Sequence, residues 1–207
     1  MAVRASIFLS ASVPDPSRDQ RYASCADVVA IGEAVRALAA VVLPAGRLVF
    51  GGHPAIAPFV RMISVALKAE SRVGVYQSEF FRTQIPPAGQ SFKDIAWTPA
   101  VAGDREGSLR LMREEMIRSE AFAAGVFIGG MEGVEEEWRM FCAIHGGVPA
   151  LPVASTGAAA LLLLQGNQGP QDPVIRQRLC SDYVYASLFQ DLLQPLLVPI
   201  PARPQMP

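Results

Sequence analysis

Apolar positions fall in two alternating rhythms along the chain. Short, nearly continuous apolar runs recur six times: ASIFLSAS (5–12), RLVFGG (47–52), RVGVYQS (72–78), KDIAWT (93–98), AFAAGVFIGG (121–130) and PALPVAS (149–155). Their length and content predict strands. Between them, apolar residues recur every three or four positions, which predicts helices. The first spans 26–43 and opens near Asp27, whose charge suits the helix dipole. The second spans 54–70, with Pro54 at its first position. Further helices are predicted over 104–120 and over 133–145, apolar helical residues follow the 149–155 strand to about residue 164, and one last helix over 172–193 is opened by Asp172-Pro173. Residues 80–104 hold Pro86-Pro87, Gly89, Pro99 and Gly103, which predicts mostly loop around the KDIAWT strand.

Strands that alternate with helices of this length predict a single doubly wound α/β domain over 1–193. Its sheet is mostly parallel, with helices on both faces. The tail 194–207, QPLLVPIPARPQMP, is proline-rich and predicted to be extended. In such sheets ligands bind beyond the carboxyl ends of the strands, at the switch point of the strand order.

Composition narrows the function classes. The chain has 207 residues, 51% of them apolar, which supports a sizeable core. A net charge of −1 gives no global attraction to nucleic acid or to an anionic membrane. The basic residues are 16 arginines and two lysines, Lys68 and Lys93. Three scattered cysteines without a CxxC spacing predict reduced thiols and a cytoplasmic protein. With two histidines and no Cys/His cluster, neither a metal nor a cofactor is expected. The start, MAVRASIFLSASVP, reads as a first strand and not as a signal peptide. Residues 149–164 are broken by Pro152 and Ser155-Thr156-Gly157, too short a run to span a bilayer.

Three strand-to-helix turns carry the candidate chemistry. They are VFGGHPAI (49–56), FIGGMEGVEEE (127–137) and VASTGAAA (153–160). A parallel sheet would bring all three to one rim, where glycines and free backbone N–H groups at helix starts suit an anion. The candidate binding residues are Gly51, Gly52, His53, Gly129, Gly130, Gly133, Ser155, Thr156 and Gly157. In the acidic helix, Val134, Trp138, Phe141 and His145 form an apolar stripe, which leaves Glu135 and Glu136 to solvent. Glu137 lies at the edge of that stripe, and a carboxylate there needs a partner or a task. Arg113 sits on the buried-looking side of the preceding helix, with Leu109, Met112 and Met116. Spacing alone supports two readings equally: a ligand-binding pair, or a salt bridge between helices.

RLVFGGHPAI followed by AGVFIGGMEGVEEE resembles the SLOG superfamily over about residues 4–160. That group joins the Lonely Guy phosphoribohydrolases and the Smf/DprA DNA-processing proteins on a Rossmann-like fold. The nearest likeness is to a bacterial branch associated with conflict and defence systems, through SASVPDP, GGHPAI, YQSEFF and GGMEGVEEE. Lonely Guy enzymes carry a Pro-Gly-Gly-x-Gly-Thr-x-x-Glu motif behind a catalytic arginine. Gly129, Gly130, Gly133 and Glu137 fit that motif, and Arg113 stands at the matching distance upstream. The resemblance therefore implies catalytic roles for Arg113 and Glu137. Three departures weigh more against hydrolysis than against binding: Ile128 replaces the proline, one residue is inserted at Met131-Glu132, and Val134 replaces the threonine. Glu132 also brings a negative charge towards the phosphate position.

The sequence thus predicts a domain that senses or processes a nucleotide or an ADP-ribose-like derivative. The alternatives are a Lonely Guy-like N-glycosidase and an interaction module with a decayed site. Expected partners are a small nucleotide-derived molecule and a second copy of the chain, as a homodimer or higher homo-oligomer; no nucleic acid and no membrane is expected.

Overall fold

The computed structural model describes residues 4–84 and 92–197. Six strands form one all-parallel sheet: β1 Ser6–Ser12, β2 Arg47–Phe50, β3 Val73–Ser78, β4 Ile95–Thr98, β5 Phe122–Gly129 and β6 Ala150–Val153. Their order is β4-β3-β2-β1-β5-β6. All six predicted strands are present, and the fold is the predicted Rossmann-like α/β sheet. The order runs outward from β1 to β4, then restarts on the other side of β1 with β5. The switch point is therefore at the carboxyl ends of β1 and β5.

The two-residue period of a strand sorts side chains onto two cores. On β1, Ile7 and Leu9 join one buried cluster and Phe8 joins the other. The first cluster is covered by α2 Val28–Val42, α3 Ala57–Ala66 and α8 Tyr185–Leu197. The second lies under α4 Arg105–Arg118, α5 Glu132–Ile144 and α6 Ala158–Gln165. It is aromatic: Phe8 stacks on Phe141 at 5.3 Å, and Phe127 meets Trp138 edge-on at 4.7 Å. Two further helices extend these layers: α1 Gln20–Ala23 adds Tyr22 to the second cluster and α7 Pro173–Ser181 adds Leu179 to the first. The sequence pattern did not reveal α1, a single turn capped by Asp19 with Tyr22 buried beneath it.

Helix starts follow local chemistry. Asp27, Asp104 and Asp172 each accept a backbone N–H in the first turn of α2, α4 and α7, a cap worth about 1 kcal/mol against alanine. The predicted start at Pro54 is displaced to Ala57. Residues 54–56 form a turn instead, and the N–H groups of Ile56 and Ala57 bond the His53 carbonyl. The cause is Pro58. In a helix begun at Pro54, the Pro58 ring would meet the carbonyl of residue 54, whereas in the first turn of α3 it is tolerated.

The single helix expected over 172–193 is two helices. Asp182 leaves α7 in an extended conformation, and its carbonyl accepts the Ser155 hydroxyl at 2.9 Å. Arg178 then bridges Asp182 and Asp191 across the break. Residues 194–197, read as the start of an extended tail, continue α8 through Pro195. The proline removes one hydrogen bond near the helix end, while Leu193 and Leu197 remain buried. The rest of the tail, and the Pro86-Pro87 and Gly89 loop, lie outside the described residues.

Candidate functional site

A cleft of about 310 Å³ opens at the carboxyl ends of β1, β2 and β3, beside the switch point. Five separate segments line it: Ala11 and Ser12 of β1, Gly51-Gly52-His53 after β2, Gln77 of β3, Met112 and Arg113 of α4, and Gly133 and Glu137 of α5. The candidate residues Gly51, Gly52, His53, Arg113, Gly133 and Glu137 thus share one cavity.

Arg113 is the charged centre of this cleft. Its side chain is only 11% exposed. The Nε group donates to Glu137 Oε1 at 3.4 Å, and Nη1 donates to Glu136 more closely still. The guanidinium lies on the first turn of α5 because residue 133 is glycine. A Cβ there would stand 2.7 Å from Arg113 Nη2. In that turn, the Val134 and Glu135 N–H groups return to the Met131 carbonyl. Among the described residues, those of Glu132 and Gly133 have no such acceptor, and with the helix dipole they favour an anion.

Glu137 is 14% exposed in its side chain. Burial pushes its carboxyl above the ordinary range, while the Arg113 charge and the nearby Ser10 hydroxyl pull it back. Ser10 Oγ is itself buried and, among the described residues, makes no hydrogen bond. It is near enough to favour the carboxylate, but outside hydrogen-bonding geometry. His53 remains exposed at the cleft mouth, and its Nδ1 accepts the Ala55 N–H at 3.3 Å. Partial desolvation and the Arg18 charge push its imidazole below the ordinary value.

The other glutamates differ from expectation. Glu135 does not face solvent freely; its side chain is held between Arg21 and Arg139. Glu136 pairs with Arg113, and Glu132 pairs with Arg18 from the loop after β1. Periodicity placed Glu135 and Glu136 away from the apolar stripe but could not show arginines arriving from other elements. The Arg18 pair also answers the charge of Glu132 near the anion position. His145, the last residue of the predicted apolar stripe, caps the end of α5, where its Nε2 lies 2.7 Å from the Ile117 carbonyl.

Five candidates do not line the cleft. Gly129 and Gly130 hold positive φ angles of 55° and 88°. They carry the chain out of β5 as the Gly130 N–H bonds the Ser12 carbonyl. A side chain on Gly130 would strike Val134, 2.2 Å from its Cγ2. Ser155, Thr156 and Gly157 are buried behind this turn. Thr156 Oγ1 accepts the Gly129 N–H at 2.9 Å and donates to the Val153 carbonyl at 2.6 Å. Ser155 is committed to Asp182 and Tyr185, and Gly157 packs against the Cys25 backbone. The Ser-Thr-Gly turn therefore braces the Gly129-Gly130 turn from behind.

Gln77 and Phe81, seen in sequence only within YQSEFF, Met112, expected only in an apolar stripe, and Arg105 were not among the candidate site residues, yet they line the cleft. Gln77 was detectable as a lone amide at the end of an apolar strand, because a buried amide needs partners. Among the described residues, no group of three or more His, Cys, Asp or Glu converges to hold a metal ion, and no helix is long and apolar enough to cross a membrane.

A doubly wound parallel sheet with a charged cleft beside its switch point defines a Rossmann-like α/β architecture. The model of the SLOG cluster3 family matches residues 21–193, and the chain belongs to that family. Among curated proteins, none matches the chain. Membership points to a nucleotide-related function.

Proposed function

We propose that the cleft binds a nucleotide or nucleotide-derived ligand, with its phosphate at Arg113 and the amino end of α5. The observation that carries this reading is Arg113 itself. It is a nearly buried guanidinium inside a cavity, laid over a glycine at a helix start whose first N–H groups have no acceptor among the described residues. A phosphate arriving there exchanges with Glu136, the more exposed of the two carboxylates. Gly51-Gly52 and the end of β1 supply the backbone that borders the sugar.

A second reading is an N-glycosidase. It is favoured by Glu137, a sheltered carboxyl with a raised pKa next to the phosphate position. Water would add to the sugar C1′ as the bond to the base breaks; Glu137 would take the water proton, and the departing base nitrogen would take one from solvent, which releases free base and the sugar phosphate. A panel of nucleoside mono- and diphosphates and ADP-ribose, screened by calorimetry and then by chromatography for free base, separates the readings. Binding without release supports the sensor, and release supports the enzyme. No binding leaves the interaction module and overturns both.

A further inference from the structure

The cleft has two unlike ends. Near α5 it is charged, with Arg113 and Glu137. At the β3 side its walls are Phe81, Leu109 and Met112, and the polar group buried among them is Gln77, 6% exposed. The orientation of the Gln77 amide is fixed by chemistry. Its Nε2 lies 3.3 Å from the Gly51 carbonyl and 3.1 Å from that of Gly52. Carbonyl oxygens only accept, so the NH₂ group must face them and Oε1 must point elsewhere. Among the described residues, no donor reaches Oε1. Nor is it a sealed, unsatisfied atom, since among the described residues Ser10 Oγ alone is. Gly52 makes this placement possible: a Cβ there, at a φ of 61°, would lie 2.2 Å from Nε2.

Phe81 stands at the same end. Its ring is 5.0 Å from Phe80, and the Arg105 guanidinium lies 5.7 Å from its centroid. Gln77 and Phe81 line the same cavity as Arg113 and Gly133, so one ligand can touch both ends.

We infer that this end of the cleft is a nucleobase subsite, in which Phe81 stacks on the base and Gln77 Oε1 accepts from its exocyclic amino group. The inference rests on the nucleotide reading above and adds the class of base. A fixed acceptor favours an amino base and meets an oxo group oxygen to oxygen. The ligand is therefore an adenine- or cytosine-type nucleotide in preference to its hypoxanthine- or uracil-type counterpart.

Calorimetric titration of the full chain tests this with adenosine, inosine, cytidine and uridine 5′-monophosphates, and with ribose 5-phosphate as a base-free probe. The amino member of the better-binding pair should bind at least about tenfold more tightly than its oxo partner, the scale of one buried hydrogen bond. Gln77→Leu should bring that ratio within about twofold. Loosening of the Gly51-Gly52 loop would weaken both members alike and leave the ratio in place. Phe81→Ala, at a partly exposed position, should weaken the nucleotides at least about fivefold, from lost stacking, and spare ribose 5-phosphate. Equal affinities for amino and oxo nucleotides, or a ratio that survives Gln77→Leu, overturn the inference, as does equal loss of ribose 5-phosphate in Phe81→Ala. Ribose 5-phosphate binding without base discrimination overturns the subsite alone. No binding by any of the five overturns the nucleotide reading as well.

Discussion

Replacing Arg113 by methionine removes the cation from a nearly dry cluster and leaves two carboxylates facing each other. Breaking a fully buried pair from one side costs about 3–5 kcal/mol, and breaking an exposed pair about 0–1 kcal/mol. With side-chain exposures of 11% and 14%, Arg113 and Glu137 sit near the buried limit, whereas Glu136 at 38% can take up water. The 3.4 Å separation is long, and Glu137 can shed its charge by protonation. Both effects lower the cost to about 2–3 kcal/mol at pH 7. For a domain of this size the melting temperature should fall by about 4–12 °C.

The sign of the pH dependence follows from Glu137. Its folded pKa is already raised, and losing Arg113 raises it further. A carboxyl of this kind binds its proton more tightly in the folded state. Its penalty is absent below the unfolded value and grows as pH rises through the folded one. The deficit of Arg113→Met should therefore shrink between pH 7 and pH 5, and Arg113→Met with Glu137→Gln should recover most of it at pH 7. Scanning calorimetry at the two pH values reads this directly. A deficit of equal size at both would refute the stranded-carboxylate argument. In the same variants, nucleotide affinity should fall by about 1.5–3 kcal/mol with Arg113→Met, the range for a charged hydrogen bond. Strong coupling in stability with unchanged affinity would leave the pair as scaffold.

Gly133→Ala should be neutral or slightly stabilising in urea, since alanine favours a helix by up to about 1 kcal/mol. It should nonetheless weaken nucleotide binding, because its Cβ displaces the far end of Arg113. Thr156→Val should cost about 1–3 kcal/mol in denaturant midpoint by orphaning the buried Gly129 N–H. Gly130→Val should lower stability itself, by strain at positive φ and collision with Val134, which a melting curve distinguishes from selective loss of binding. If residues 198–207 join two copies of the chain, deleting them should lower the mass measured by light scattering. A drop equal only to the lost residues would exclude that role.

Patterning alone determined much of this protein, and for local reasons. Six apolar runs between amphipathic stretches have one economical solution, a parallel sheet with helices on both faces, and the fold follows it. Asp27 and Asp172 act within one helical turn of themselves, so they too were legible. Pro58 and the break at Asp182 were harder. Pro58 acts locally, yet the helix was started at Pro54, and the break involves Ser155, far away in sequence.

Tertiary structure decided which polar residues share a space. Motif spacing nominated Arg113 and Glu137, but the contact between them depends on how α4 lies against α5, and Gly133 sets the depth at which the guanidinium rests. Three turns on one rim looked equivalent in sequence. Ser155 and Thr156 faced inward because buried carbonyls and a buried N–H stood within their reach, and an unpaired polar group inside a protein is costly. Gln77 shows the same physics in reverse. Its partners, the Gly51 and Gly52 carbonyls, come from the neighbouring strand's end, and pairing between strands cannot be read from either strand alone. Periodicity fixes which face a residue takes on its own element; what that face meets depends on elements folded from elsewhere in the chain.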